Sequence, residues 1–131
     1  EHMVHLRAEK IAGIANDIPP AEVVGDADDA EVLLVGWGST WGAINGAMER
    51  VQERGRRVAH VHLTHLNPFP ANLGEILRRY PKVVVPEMNL GQLSRLLRAE
   101  FLVDAIAVTK VQGLPFTAGE LETAILGALD D

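Results

Sequence analysis

Four short apolar runs, "EVLLV" (31–35), "RVAHVHL" (57–63), "KVVVPE" (82–87) and "VDAIAVTKV" (103–111), are each followed by a segment able to form a helix. This alternation constrains the fold more than any other feature of the chain. Strands alternating with helices of about ten residues form parallel sheets, joined by right-handed crossovers that place helices on both faces. Residues Val32 to Val35 are hydrophobic without alternation, as expected of a parallel strand buried on both sides. The predicted fold is α/β, a three-layer α/β/α sandwich around a mostly parallel open sheet, and 131 residues suit one domain.

The first crossover helix is expected from about Thr40 to Arg54. Trp41, Ile44, Met48 and Val51 form its apolar stripe, Glu49, Arg50 and Glu53 face away, and Gly55 is its stop. "NPFPANLGEILRRYP" turns through prolines into a short helix that Pro81 ends. Leu90, Leu93, Leu96 and Leu97 mark a third helix, and Thr117 with Glu120 forms a capping-box pattern at the start of a closing one. Upstream, Met3 to Asn16 reads as an opening helix that ends before Pro19 and Pro20, and Gly25 to Ala30 ("GDADDA") reads as a solvated acidic turn. Residues 1–30 are thus an opening helix and acidic loop, and 31–131 an alternating core.

Charge and composition exclude several classes of function. Twelve Lys and Arg against 18 Asp and Glu give a formal charge of −6, so no broad basic surface exists to bind nucleic acid. The absence of cysteine removes disulfides, Cys-ligated zinc and an ordinary iron–sulfur cluster bound by this chain, and fits a cytoplasmic setting. No apolar run approaches the roughly 18 residues of a membrane span, so no membrane partner is expected.

The turn "VGWGSTWG" (35–42) stands where dinucleotide enzymes hold a pyrophosphate. Gly36 and Gly38 match the first two glycines of G-x-G-x-x-G, but Trp41 takes the third position and would fill the space that glycine must leave open. The second strand ends in Leu63-Thr64-His65-Leu66, with no carboxylate for a ribose. Ser39 or Thr40 can still cap the helix, and its amides favour an anion. An autonomous anion- or nucleotide-binding module using the Gly36–Gly42 turn is therefore the alternative reading.

His60 and His62, two residues apart, point to one face of their strand and could share a metal, although no carboxylate lies within six residues on either side of the histidines. Ala59, Val61 and Leu63 line the other face, so the imidazoles need partners from a covering helix or another domain. Glu87 and Asn89 follow a strand, where ligands of open sheets bind. An acid–base role is conceivable. The preferred reading has Asn89 capping the next helix and Glu87 accepting hydrogen bonds from loop amides.

Together "LLVGWGSTWGAI", "HVHLTHLNPFPANL", "VVVPEMNLGQLSRLLRAEF" and "KVQGLPFTAGEL" resemble the C-terminal domain of the α subunit of 2-oxoacid:ferredoxin oxidoreductases, most closely the 2-oxoglutarate (KorA-type) members. The resemblance implies a fold similar to the transketolase C-terminal domain, with one antiparallel strand in a mostly parallel sheet. It also implies that the chain is a C-terminal piece of a longer subunit. The complete enzymes of this family convert 2-oxoglutarate and coenzyme A to succinyl-CoA and carbon dioxide and pass electrons to ferredoxin. Their thiamine diphosphate, Mg2+ and iron–sulfur cluster lie in other α-subunit domains and the β subunit, so no cofactor is expected on this chain. Its partners would be those domains and that subunit. Trp37, Gly38, Ser39 and Thr40 match the family's first motif, and Pro86, Glu87, Asn89, Gly91, Gln92 and Leu93 match its second. No catalytic residue is implied. With Trp41 as a second aromatic anchor and His60 and His62 on the sheet face, the two motifs are expected to form a contact surface against the rest of the enzyme.

Overall fold

The computed structural model describes residues 18–66, 68–87, 92–110 and 116–130. The expected opening helix lies outside them. In chain order the elements are β1 (Val23–Gly25), β2 (Val32–Trp37), a 3-10 turn (Gly38–Thr40), α1 (Trp41–Glu53), β3 (Val58–Leu63), α2 (Leu73–Arg78), β4 (Val83–Glu87), α3 (Gln92–Phe101), β5 (Ala105–Thr109) and α4 (Ala118–Asp130). The sheet order is β1-β3-β2-β4-β5, with β1 antiparallel to β3 and the other pairs parallel.

Side chains alternate across the strands, and the central strands β2, β3 and β4 are largely buried on both faces. Leu33, Val35, Ala59, Val61, Leu63, Val83 and Val85 pack under α2 and α3 with Leu73, Ile76, Leu77, Leu93 and Leu97. Val32, Leu34, Val58 and Val84 pack under α1 and α4 with Ile44, Met48, Val51, Leu121 and Ile125. The three-layer α/β/α sandwich is the architecture expected from the alternation.

Several local expectations are met. Gly55, at φ +83°, ends α1: its amide donates to Gln52 O at 2.9 Å and the Arg56 amide donates to Val51 O at 3.3 Å. The capping box is present, with Glu120 N donating to Thr117 Oγ1 at 3.1 Å and Thr117 N to Glu120 Oε1 at 3.2 Å.

Other expectations are corrected. Trp41 does not join the buried stripe of α1, which is Ile44, Ala47, Met48 and Val51: its ring packs on His60 and His62 of β3 with its outer side left to solvent. Leu96 is 48% exposed beside buried Leu93 and Leu97. The acidic turn is not merely solvated: Asp26 accepts hydrogen bonds from Val58 N at 2.9 Å and Gln52 Nε2 at 3.0 Å, and Tyr80 donates to Ala27 O at 2.6 Å. These bonds tie down β1, a strand too short to show periodicity, whose Gly25 (φ +89°) lies so close to β3 that an added Cβ would sit 2.6 Å from Val58 O.

The feature that positions a site is the switch point between β2 and β4. The first crossover runs from β2 to β3 on one side, and the chain then returns to place β4 on the other. Pairing of β2 with β4 covers Leu33↔Val83 and Leu34↔Val84, whereas β2 stays paired with β3 to Trp37↔Leu63 and β4 with β5 to Glu87↔Thr109. The sheet therefore opens between the carboxyl ends of β2 and β4. Pro86 fits this opening. Lys82 O accepts from Leu33 N and Glu87 O from Lys110 N, so by alternation Pro86 faces β2, where its missing N–H breaks no ladder bond.

Candidate functional site

The opening is a crevice of about 230 Å³ lined by Trp37, Gly38, Ser39, Thr40, Pro86, Glu87 and Leu93. It lies outside the carboxyl ends of strands at a topological switch point, the position where open α/β sheets bind ligands. The two motifs picked out in the sequence are thus brought together, Trp37 to Thr40 as one wall and Pro86 and Glu87 as the other. Leu93, the second residue of the next helix, completes the second wall.

The first wall is a tight turn. Gly38 has φ +69°, and an added Cβ would meet nothing within 4 Å, so glycine is required there by the backbone and not by space. Thr40 does not cap α1. Its hydroxyl accepts from Trp37 N at 3.3 Å and donates to Trp37 O at 3.1 Å, closing the turn on itself. Ser39 is exposed at the lip. Trp37 is 43% exposed and Trp41 46% exposed, two large rings on the surface at the same end of the sheet.

The second wall is set by Glu87. Its Oε1 accepts from Leu93 N at 2.5 Å and its Oε2 from Ser94 N at 3.2 Å, and the residue is buried. The carboxylate neutralises the positive end of α3 and satisfies two of its orphan amides. Glu87 is thus the helix cap itself, and its oxygens are engaged with structure. Gln92 is the first residue of α3, exposed and outside the crevice lining. Asn89 and Gly91 lie outside the described residues.

His60 and His62 do not line the crevice but stand behind its first wall, on the α1 face of β3. The partners that their shared face requires come from the covering helix and the turn. His60 Nδ1 lies 3.1 Å from Asn45 Oδ1 of α1, and His62 Nε2 lies 3.0 Å from Gly38 O. Trp41 covers both rings, at centroid separations of 4.9 Å from His60 and 5.1 Å from His62. Burial, helped by the nearby His62, pushes the His60 imidazole down to about 4, so it is neutral at pH 7. Sequence reasoning missed Asn45. The signal was present, since Asn45 is a polar residue one turn after Trp41 on the helix that must cover this strand.

The described residues do not fit a magnesium-bound diphosphate. The crevice is smaller than the roughly 300–1,000 Å³ of ordinary ligand pockets. Among the described residues that line it, the one carboxylate is spent on α3 and none is basic. Among the described residues no cluster of three His, Asp or Glu side chains could hold a metal ion. The geometry offers two aromatic rings, a rigid polar turn and a shallow cleft, which suit contact with another protein surface.

Comparison with known proteins agrees with the family resemblance. The family model for pyruvate:ferredoxin oxidoreductase core domain II matches residues 30–118. The 2-oxoglutarate oxidoreductase subunit KorA of Mycobacterium tuberculosis is 57% identical over 127 residues, covering 97% of this chain and 19% of the relative. A solved 2-oxoglutarate:ferredoxin oxidoreductase from Magnetococcus marinus, with 2-oxoglutarate, coenzyme A and succinyl-CoA bound, superposes with a TM-score of 0.87 at 32% identity, covering 97% of this chain and 23% of that one. A split-gene transketolase superposes at 21% identity and a TM-score of 0.65 over 86% of this chain and 43% of that one, a likeness of fold. The chain spans about a fifth of the length of the Mycobacterium tuberculosis relative.

Proposed function

Because the chain belongs to the pyruvate:ferredoxin oxidoreductase core domain II family, we propose that it is a non-catalytic assembly domain of the α subunit of a thiamine-diphosphate-dependent 2-oxoglutarate:ferredoxin oxidoreductase. The complete enzyme would convert 2-oxoglutarate and coenzyme A to succinyl-CoA and carbon dioxide, with two electrons passed to ferredoxin through an iron–sulfur cluster. Thiamine diphosphate, held with Mg2+ elsewhere in the assembly, would supply the electron sink for decarboxylation. The remaining α-subunit domains and the β subunit are the direct partners in this reading. A cytoplasmic location goes with it, and among the described residues no helix is long and apolar enough to cross a membrane.

One observation carries the assembly role. At the position where an open sheet would bind its ligand, the crevice has the Glu87 carboxylate committed to a helix end and two tryptophans exposed beside it. Large exposed aromatics with a polar rim are the usual anchors of protein interfaces. The autonomous anion-binding reading of the Gly36–Gly42 turn is not favoured, since the relatives of this chain are oxidoreductase subunits.

The test is made in the complete enzyme. Trp37→Ala and Gln92→Ala are introduced into the full α subunit, and assembly with the β subunit is followed by analytical ultracentrifugation. Weakened assembly is expected. Normal assembly in both variants would overturn the reading.

A further inference from the structure

Three side-chain atoms converge on Gly36, and together they define how the crevice lip is held. An added Cβ at Gly36 would lie 2.6 Å from His62 Nδ1, 2.7 Å from Ile44 Cδ1 and 3.0 Å from His60 Nε2. Gly36 pairs in register with His62 across the parallel ladder, so β2 must carry a glycine for the two imidazoles to pack against it. Neither of these nitrogens finds a hydrogen-bond partner among the described residues. The rings are therefore not placed by what those nitrogens bind.

The other nitrogen of His62 explains its placement. Nε2 lies 3.0 Å from the Gly38 carbonyl oxygen, and a carbonyl only accepts, so Nε2 carries the hydrogen and donates it. Gly38 is the residue whose positive φ turns the chain from β2 into the lip of the crevice. Trp41 meets the His62 ring edge-on at 5.1 Å, and the His60 ring, itself set against Asn45, meets it at 5.5 Å. The imidazole is clamped between its neighbours with its donor aimed at one peptide.

We propose that His62 is a positioning residue for this crevice, its Nε2–H locking the Gly38 peptide so that the Trp37–Thr40 wall is rigid before the partner arrives. The inference rests on the reading of the crevice as a contact surface. The Thr40 hydroxyl holds the Trp37 end of the turn, but glycine samples both signs of φ freely, so without the His62 anchor the Gly38 peptide would have to be ordered during docking, and that ordering would weaken association.

The experiment uses the full α and β subunits, with their association constant measured for wild type, His62→Leu, His62→Gln and Trp37→Ala. Leucine removes the donor, whereas the glutamine amide can place an N–H near the position of Nε2. The expected result is association weakened about tenfold by His62→Leu, the scale of one lost hydrogen bond, with most of the loss recovered in His62→Gln. Equal weakening in the Leu and Gln variants, or no weakening in either, overturns the positioning role while a weakened Trp37→Ala leaves the contact surface standing. An unaffected Trp37→Ala removes the contact surface and the inference with it. Should His62→Leu fail to fold, Gly38→Ala carries the test, because it disturbs the same peptide through its φ while its added Cβ meets nothing within 4 Å. Unchanged association in that variant also overturns the proposal.

Discussion

Glu87 and Leu93 are joined by a 2.5 Å hydrogen bond from the Leu93 amide to the Glu87 carboxylate, which fixes α3 to the end of β4. The bond makes a buried acid a structural element, since its second oxygen accepts from Ser94 N. Glu87→Gln keeps one acceptor but removes the negative charge from the helix N-terminus and turns an N–H toward helix amides. Its expected cost is about 1–2 kcal/mol of folding stability. Urea unfolding of the variant and wild type measures it, and a difference below a few tenths of a kcal/mol contradicts this account of Glu87.

Gly36→Ala is expected to destabilise the chain by about 2–3 kcal/mol, the upper range of overpacking penalties. All three nearest atoms belong to side chains held by their own packing, two of them on imidazoles covered by Trp41. Denaturant unfolding tests this, with Gly38→Ala as the contrast: its cost should come only from the strained φ.

Leu102 has φ +56°, is 90% exposed, and ends α3 by donating its amide to Arg98 O at 3.0 Å. This is the left-handed cap position that favours glycine. Leu102→Gly relieves roughly 1–2 kcal/mol of backbone strain and loses part of it to unfolded-state entropy. A net gain of about 0.5–1 kcal/mol is expected in thermal unfolding, and a lower melting temperature would contradict it.

Acid should weaken the fold in two separate windows. His60 has its folded value pushed down to about 4 from its ordinary 6.5. The folded state thus favours the neutral ring, and the resulting stability is present above pH 6.5 and lost as pH falls toward 4. Its size is up to about 3 kcal/mol. Glu31 is held down to about 2 by a paired hydrogen bond from Arg56, at 3.0 and 3.1 Å, and by the Arg57 amide. Its contribution is present above pH 4.5 and disappears between there and pH 2. Unfolding free energies of wild type and His60→Gln from pH 7 to 4.5 isolate the first window, and a slope unchanged by the substitution would count against it.

Much of the fold could be read directly from residues. The continuous run Val32–Val35, the stop at Gly55 and the box between Thr117 and Glu120 are local patterns whose physics lies within one turn or one strand, and they stand where expected. His60 and His62 share a face because a strand has period two. The missing parts are those in which a distant segment decides. Strand β1 exists because Val23 to Gly25 reach β3, and Asp26 is held by Gln52 and Val58. Trp41 matches a helical stripe in spacing but lies half-exposed over His60 and His62 of β3. Thr40 has the chemistry of a helix cap and instead closes the turn before the helix.

The candidate site divides in the same way. Parallel strands oblige "GWGST" and "PE" to sit at the same end of the sheet, and that much is determined by the alternation of apolar runs and helices, a property of the sequence by itself. Their adjacency depends on strand order, which places β4 beside β2 and not beyond β3. Whether Glu87 is a free acid or a helix cap depends on where α3 starts relative to the end of β4. Tertiary structure alone decided those two points, because hydrophobic pattern specifies which face of an element is buried, while the direction of the next element is set by long-range packing.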